Sequence, residues 1–202
     1  MQEAKVAQNS EGPVNGKEYK YSNDCTYTGT WNGNKREGRG LFKWPVESGT
    51  EYDGEFRDDK RHGRGKITYK NEKSSYDGEW YQDKRSGDGK FTWADGSCYT
   101  GTFADDHMEG RGTFKWNTGS TFTGEWVQNK KTGQGKMVCM KDGKKISEYD
   151  GAWKDDMRHG QGVMTWYTAE GTATYNGNWV KDVKEGRGMY KWPNGTCYDG
   201  EW

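Results

Sequence analysis

The chain has 202 residues, yet Leu, Ile, Val and Phe together number 17, with a single leucine, Leu41. That is far below the roughly 20% a conventional aliphatic core requires, while 11 Trp, 13 Tyr and a formal net charge of zero argue equally against a disordered, highly charged chain. Balanced charge also argues against a general nucleic-acid binder, and no apolar run reaches the roughly 18 residues of a membrane helix.

In chain order, Met1 to Gly16 is polar and lacks the apolar region of a signal peptide, so a disordered tail is expected over 1–16. Tyr19 and Tyr21 follow, and residues 17–26 read as a half-repeat that covers a first sheet edge. From there an aromatic residue followed two places later by Gly starts eight units, at Tyr27, Tyr52, Tyr76, Tyr99, Phe122, Tyr149, Tyr175 and Tyr198. The steps between them are 25, 24, 23, 23, 27, 26 and 23 residues. Seven full repeats therefore occupy 27–197, with a partial eighth over 198–202.

Numbering the starting aromatic as position 0, position 2 is Gly in every unit and position 4 is Trp or Phe in every unit. Positions 11 and 13 are Gly in all seven complete units, position 15 is Phe, Ile, Met or Tyr, and position 17 is Trp or Tyr except at Cys139. Every second residue thus faces one side, which is the period of a half-buried strand. Polar residues alternate with them, as Asp53 and Glu55 do around Gly54. The two runs of a unit are joined by six polar residues such as Arg57 to His62, so each unit reads as a β-hairpin. Asp95-Gly96 and Asn194-Gly195 supply turn chemistry for the next connection. A lone hairpin is marginal in water, but stacked hairpins bury their rings against one another, each ring removing roughly 150–250 Å² from solvent. The glycines leave hollows for those rings and let the strands bend. Leu41, at position 14, falls on the polar side of this register.

Tyr52-Asp53-Gly54-Glu55-Phe56, followed by Lys60-Arg61-His62-Gly63-Arg64-Gly65, resembles the MORN (membrane occupation and recognition nexus) repeat, and the resemblance extends over 27–202. It implies an all-β fold, an elongated solenoid of stacked antiparallel hairpins, with one meandering sheet and an aromatic-lined groove. It also implies a scaffold for cytoskeletal, ciliary or membrane-junction assemblies in the cytoplasm, with no enzyme domain.

The groove is expected to bind a helix or an extended segment of a protein partner, since exposed aromatic clusters carry binding energy. The contributors expected from the central, most regular units are Trp80, Trp93, Phe103, Trp116 and Trp126. Position 9 is basic in six of seven units: Arg36, Arg61, Arg85, Lys131, Arg158 and Lys184. Stacked, these form an edge. Asp59, Asp83, Asp106, Asp156 and Asp182 suggest cross-repeat ion pairs along it, and contact with acidic lipid headgroups is the alternative. A regulatory or targeting fragment of a larger protein is a further alternative. An open strand edge at Trp202 suggests dimerisation or end-to-end stacking. The connections Met140 to Glu148 and Tyr167 to Thr174 are long for the repeat, and insertions of this kind often mark a binding edge.

Gly-x-Gly recurs in each complete unit without the third glycine of a phosphate loop, Thr68 standing there in the second unit. His62, His107 and His159 fall near hairpin turns, too far apart in the stack to share a metal. Cys25, Cys98, Cys139 and Cys197 are isolated, as in a reduced compartment. Neither catalysis, nor a metal, nor a cofactor is expected.

Overall fold

The computed structural model describes residues 13–202. Every regular element described is a β-strand, and strand order follows chain order without a crossover. The chain divides into two compact units. The first runs to Ala94 and takes in Phe103–Asp106; the second comprises Asp95–Thr102 and His107–Trp202.

The first unit holds β1 (Glu18–Lys20), β2 (Thr26–Asn32), β3 (Lys35–Lys43), β4 (Thr50–Arg57), β5 (Lys60–Tyr69), β6 (Ser74–Tyr81) and β7 (Lys84–Thr92). Each is antiparallel to the next. β8 (Cys98–Ala104) contributes residues to both units. The second continues with β9 (His107–Lys115), β10 (Thr121–Val127), β11 (Lys130–Lys141), β12 (Lys144–Lys154), β13 (Met157–Thr168), β14 (Gly171–Val180), β15 (Val183–Lys191) and β16 (Cys197–Glu201). From β9 onward each again pairs antiparallel with its successor.

Of the expected tail, residues 1–12 lie outside the described residues. Asn15 and Gly16 do not stand free: Asn15 Oδ1 accepts from Trp31 N at 2.7 Å, and Gly16 N donates to Gly29 O at 3.0 Å. β1 then pairs with β2 through Glu18, Tyr19 and Lys20.

The hairpins are tighter than six polar connecting residues suggest. Strands run on to a two-residue turn, as at Asp58 (φ 48°) and Asp59 (φ 68°), where both central residues take the left-handed region of a type I′ turn. Gln82-Asp83, Asp105-Asp106, Gln128-Asn129, Asp155-Asp156 and Lys181-Asp182 repeat it. Asp and Asn tolerate that backbone through local hydrogen bonding. The two long connections are also mostly strand, since β11 reaches Lys141 before β12 starts at Lys144, and β13 reaches Thr168 before β14 starts at Gly171.

The two glycines of the second strand have different duties. Gly54 lies opposite Gly65, but the next pair is Glu55 with His62, so Gly63 and Arg64 form a bulge. Gly63 has φ 59°, and the other position-11 glycines are likewise positive. Position 13 instead faces position 2 across the strands, with the position-0 ring lying over both. A Cβ on Gly78 would stand 2.5 Å from both Gly89 Cα and Tyr76 Oη. No side chain fits there.

Those rings are the core. Tyr27, Tyr52, Tyr76, Tyr99, Phe122, Tyr149 and Tyr175 are at most 2% exposed. Each sits edge-on between position-4 rings. Tyr52 is 5.1 Å from Phe56 and 5.4 Å from Trp80, and Tyr149 is 5.2 Å from Trp153 and 5.6 Å from Trp179. Edge-to-face pairs of this kind add about 0.5–1.5 kcal/mol beyond their burial. Ring polar atoms find partners within the same layer, as where Tyr76 Oη donates to Glu79 O at 2.9 Å and Trp80 Nε1 to Gly65 O at 2.9 Å; Trp31 Nε1 is buried without one. Leu41 sits half-buried opposite Thr28 and Asp53, on the face away from the rings.

Candidate functional site: the ring-lined face

The alternation that buries positions 0 and 4 brings positions 15 and 17 to the same face, closer to the strand ends. There burial is incomplete. Phe91 and Trp93 in the first unit, and Phe114 and Trp116 in the second, stand 4.6 Å apart and half-buried. Tyr190 and Trp192 repeat the pair at 4.7 Å, with Trp192 41% exposed.

The five expected groove residues therefore divide. Trp80, Phe103 and Trp126 are buried at 4%, 3% and 4% exposure and form the floor; Trp93 and Trp116 keep accessible ring area. Trp44, Trp166 and Trp192 belong with the latter two and were not singled out by centrality in the chain. Their shared position, 17, was the usable signal: it lies nearer the strand ends, and its rings keep accessible area even where a ring of the next repeat approaches, as Tyr190 approaches Trp166 at 5.8 Å.

The position-9 cations lie on this face and point across it rather than out. Arg36, Arg61, Arg85 and Arg158 pair with Asp59, Asp83, Asp106 and Asp182 of the following repeat at 3.2, 3.0, 3.0 and 2.8 Å. Lys131 reaches Asp156 at 3.9 Å. The backbone completes each socket. Asp83 Oδ1 also accepts from Arg61 N at 2.9 Å, while Asp83 N donates to Arg61 O at 3.0 Å. The turn Asp thus has two roles, taking the left-handed backbone and receiving the cation. The cations also lie over rings, Arg61 at 4.2 Å from the Trp80 centroid and Arg158 at 4.3 Å from that of Trp179. Cation–π contact of this type contributes about 0.5–2 kcal/mol according to desolvation. As charges for a lipid headgroup, these five are already engaged.

Two places break the ladder. Met108 replaces the cation of the fourth repeat, and Asn129 replaces its Asp; Met108 N still donates to Asn129 Oδ1 at 2.8 Å. Lys184 makes no ion pair among the described residues. Its ammonium lies 4.3 Å from the Trp202 centroid and 4.4 Å from that of Tyr190. Burial, with Arg158 adding, lowers its pKa from the ordinary lysine range. Burial likewise pushes the Tyr27 and Tyr149 phenols up to about 12. Among the described residues no cluster of His, Cys, Asp or Glu is placed to hold a metal.

The periodic geometry is matched by family comparison. The MORN repeat matches residues 27–48, 52–73, 76–98, 99–121, 122–144, 149–168 and 175–197, each starting on a position-0 ring. The chain belongs to the MORN repeat family. No curated protein matches this MORN chain. A solved structure similar to it is the TCP domain of SAS-4 (dCPAP) of Drosophila melanogaster, in complex with a proline-rich motif of Ana2 (dSTIL). It is 12% identical, with a TM-score of 0.45, over 98% of this chain and 99% of that one.

Proposed function

We propose that this MORN-repeat protein is a non-enzymatic scaffold or adaptor that binds an extended or helical protein segment along its ring-lined face. The setting we assign is a cytoplasmic assembly of cytoskeletal, ciliary or membrane-associated type. The observation that carries the reading is the row of incompletely buried position-17 rings over a floor of fully packed ones. Large rigid rings with accessible area, fixed by a packed layer beneath, lose little entropy on binding and supply anchor contacts. In this reading Trp93 in the first unit and Trp116 in the second each offer an anchor ring to such a segment. Trp80 and Phe103 in the first unit and Trp126 in the second belong to the packed layer beneath.

Affinity capture with the wild-type chain and with Trp93→Ala and Trp116→Ala, each checked for an unchanged urea midpoint, tests this. Partners retained by the wild type should be lost or weakened roughly tenfold by each variant, the scale of removing one anchor ring. Equal retention by two folded variants would exclude the ring-lined face as the binding surface.

A further inference from the structure

The opposite face of the second unit carries a separate feature. An open cleft of about 470 Å³ is lined by Thr100, Arg111, Thr113, Thr123, Gln134, Lys136 and Asp150, with Gly112, Gly124 and Gly135 in its floor. The glycines demanded by the rings on one side leave a trough on the other.

The charges in this trough differ from those across β4 to β7. In the first unit the directly opposed row runs Asp53, Lys66, Asp77, Lys90 across β4 to β7, acid against base at every step. The second unit's row across β9 to β12 reads Thr113, Thr123, Lys136, Asp150. Threonine stands at 100 and 123, where the first unit has Asp53 and Asp77. Position-12 arginines elsewhere have carboxylate partners: Arg39 pairs with Asp53 at 3.6 Å, Arg64 with Glu79 at 3.3 Å and Arg187 with Asp199 at 3.4 Å. Arg111 is exposed and has no ion pair or hydrogen bond among the described residues. Its strand partner Glu125 instead accepts from Gln134 N at 3.4 Å, at the bulge.

We propose that this cleft is a binding site for an acidic peptide segment, with Arg111 receiving a carboxylate. It is distinct from the ring-lined face and does not depend on the reading given for that face. Arg111 offers a planar donor fork suited to a bidentate carboxylate. Lys136 lies two strands away, roughly 10 Å, opposite Thr123, and lines the same cleft as Arg111. Its pair with Glu148 is long, 3.5 Å, and Lys136 itself is exposed, so its ammonium can also take a second carboxylate. The hydroxyls of Thr113 and Thr123 hydrogen-bond to each other at 2.9 Å, which leaves one of the two O–H groups as a neutral donor in the cleft. The trough crosses five strands, roughly 19 Å, which accommodates about five to six extended residues. Asp150 marks its far end and excludes an acid there. None of the lining residues is aromatic, so nothing stacks a nucleic-acid base.

The test is fluorescence anisotropy of a labelled hexaglutamate peptide against the full chain at low salt. Wild type should bind, and Arg111→Gln should weaken binding roughly tenfold, the scale of one charge-assisted contact. Thr123→Asp, which places here the acid that Asp53 and Asp77 supply in the first unit, should abolish binding with the urea midpoint unchanged. Arg64→Gln carries the same change in net charge and should leave binding intact, as should Trp116→Ala, which keeps this outcome separate from that of the ring-lined face. Three results would overturn the proposal: no binding by wild type, equal losses in the Arg64 and Arg111 variants, or full competition by inorganic phosphate at the peptide's own concentration.

Discussion

Across β4 to β7 the face away from the rings alternates Asp53, Lys66, Asp77 and Lys90, whereas across β9 to β12 it reads Thr113, Thr123, Lys136 and Asp150. Over the same stretches the ring face hardly changes. Tyr76 and Phe122 are both fully buried, and both lie over a pair of facing glycines. The two faces therefore answer to different constraints. Rings and facing glycines lock together sterically, so each complete repeat restates them, while the turn position holds Asp or Asn. Residues on the other face meet solvent, and exposed ion pairs contribute little, so that face can change charge without endangering the fold.

The largest effect should come from the part the two units share. Gly78→Ala and Gly124→Ala each place a methyl group against backbone. The Cβ would lie 2.5 Å from Gly89 Cα in the first case and 2.6 Å from Gly135 Cα in the second. Neither backbone can yield without parting two strands. Both variants should lose about 3 kcal/mol, the upper end of overpacking penalties, read from urea midpoints. Gly96→Ala meets nothing within 4 Å and suffers only from its φ of 85°, so it should lose about 1 kcal/mol. A mild Gly124→Ala beside a severe Gly78→Ala would mean that the units are not packed alike.

The position-9 ladder sharpens the comparison at a smaller scale. Arg61 is 7% exposed, and Asp83 is its ion-pair partner. Asp83→Ala strands a buried guanidinium and should cost about 2 kcal/mol; a fully buried pair would cost more, but the Asp83 side chain is 41% exposed. At the neutral break Asn129→Ala puts the same residue at the same left-handed φ as Asp83→Ala but removes an acceptor for Met108 N instead of an ion-pair partner, so a smaller loss, about 1 kcal/mol, is expected. Thermal melts of the two variants should keep that order. Equal losses would show that the backbone socket matters more than its charge.

Much of this was legible in the sequence, because the repeat samples one structural problem seven times. Period two separated ring face from polar face, and the invariant Gly at positions 2 and 13 announced a close approach. The turn was less legible. Arg57 to His62 are all polar, and polarity alone does not distinguish a loop from exposed strand ends flanking Asp58-Asp59. Position 11 looked identical to position 13 because both need Gly. Only the backbone shows that one needs it for a left-handed φ and the other for lack of room. The groove residues were harder still. Trp80 and Trp93 are the same residue type with different burial, and the difference lies in which neighbouring strand supplies a covering ring. Arg111 looked like any other position-12 arginine, since its distinction is that the facing carboxylate, Glu125, accepts from Gln134 N at the bulge instead of pairing with it.

The smallest effect separates the units by pH. Burial pushes the Tyr27 and Tyr149 phenols up to about 12 and raises Tyr52 and Tyr76 further. The folded state thus favours the neutral phenol, while the unfolded chain ionises from about pH 10. These groups stabilise fully below that pH, and the contribution falls as pH rises through 10 toward the folded values. Lys184, lowered by burial, has the opposite sign, but it is one group against several. Phe122 already lacks the hydroxyl. Tyr76→Phe gives the first unit the ring of the second and leaves Glu79 O without its 2.9 Å donor, a loss of about 1 kcal/mol near neutral pH. Above pH 10 the variant has one fewer phenol whose ionisation favours unfolding, so the gap between its urea midpoint and that of wild type should narrow. A gap that stays constant to about pH 12 would mean that the ring face loosens before its phenols ionise, and that the layer common to both units is softer than its packing implies.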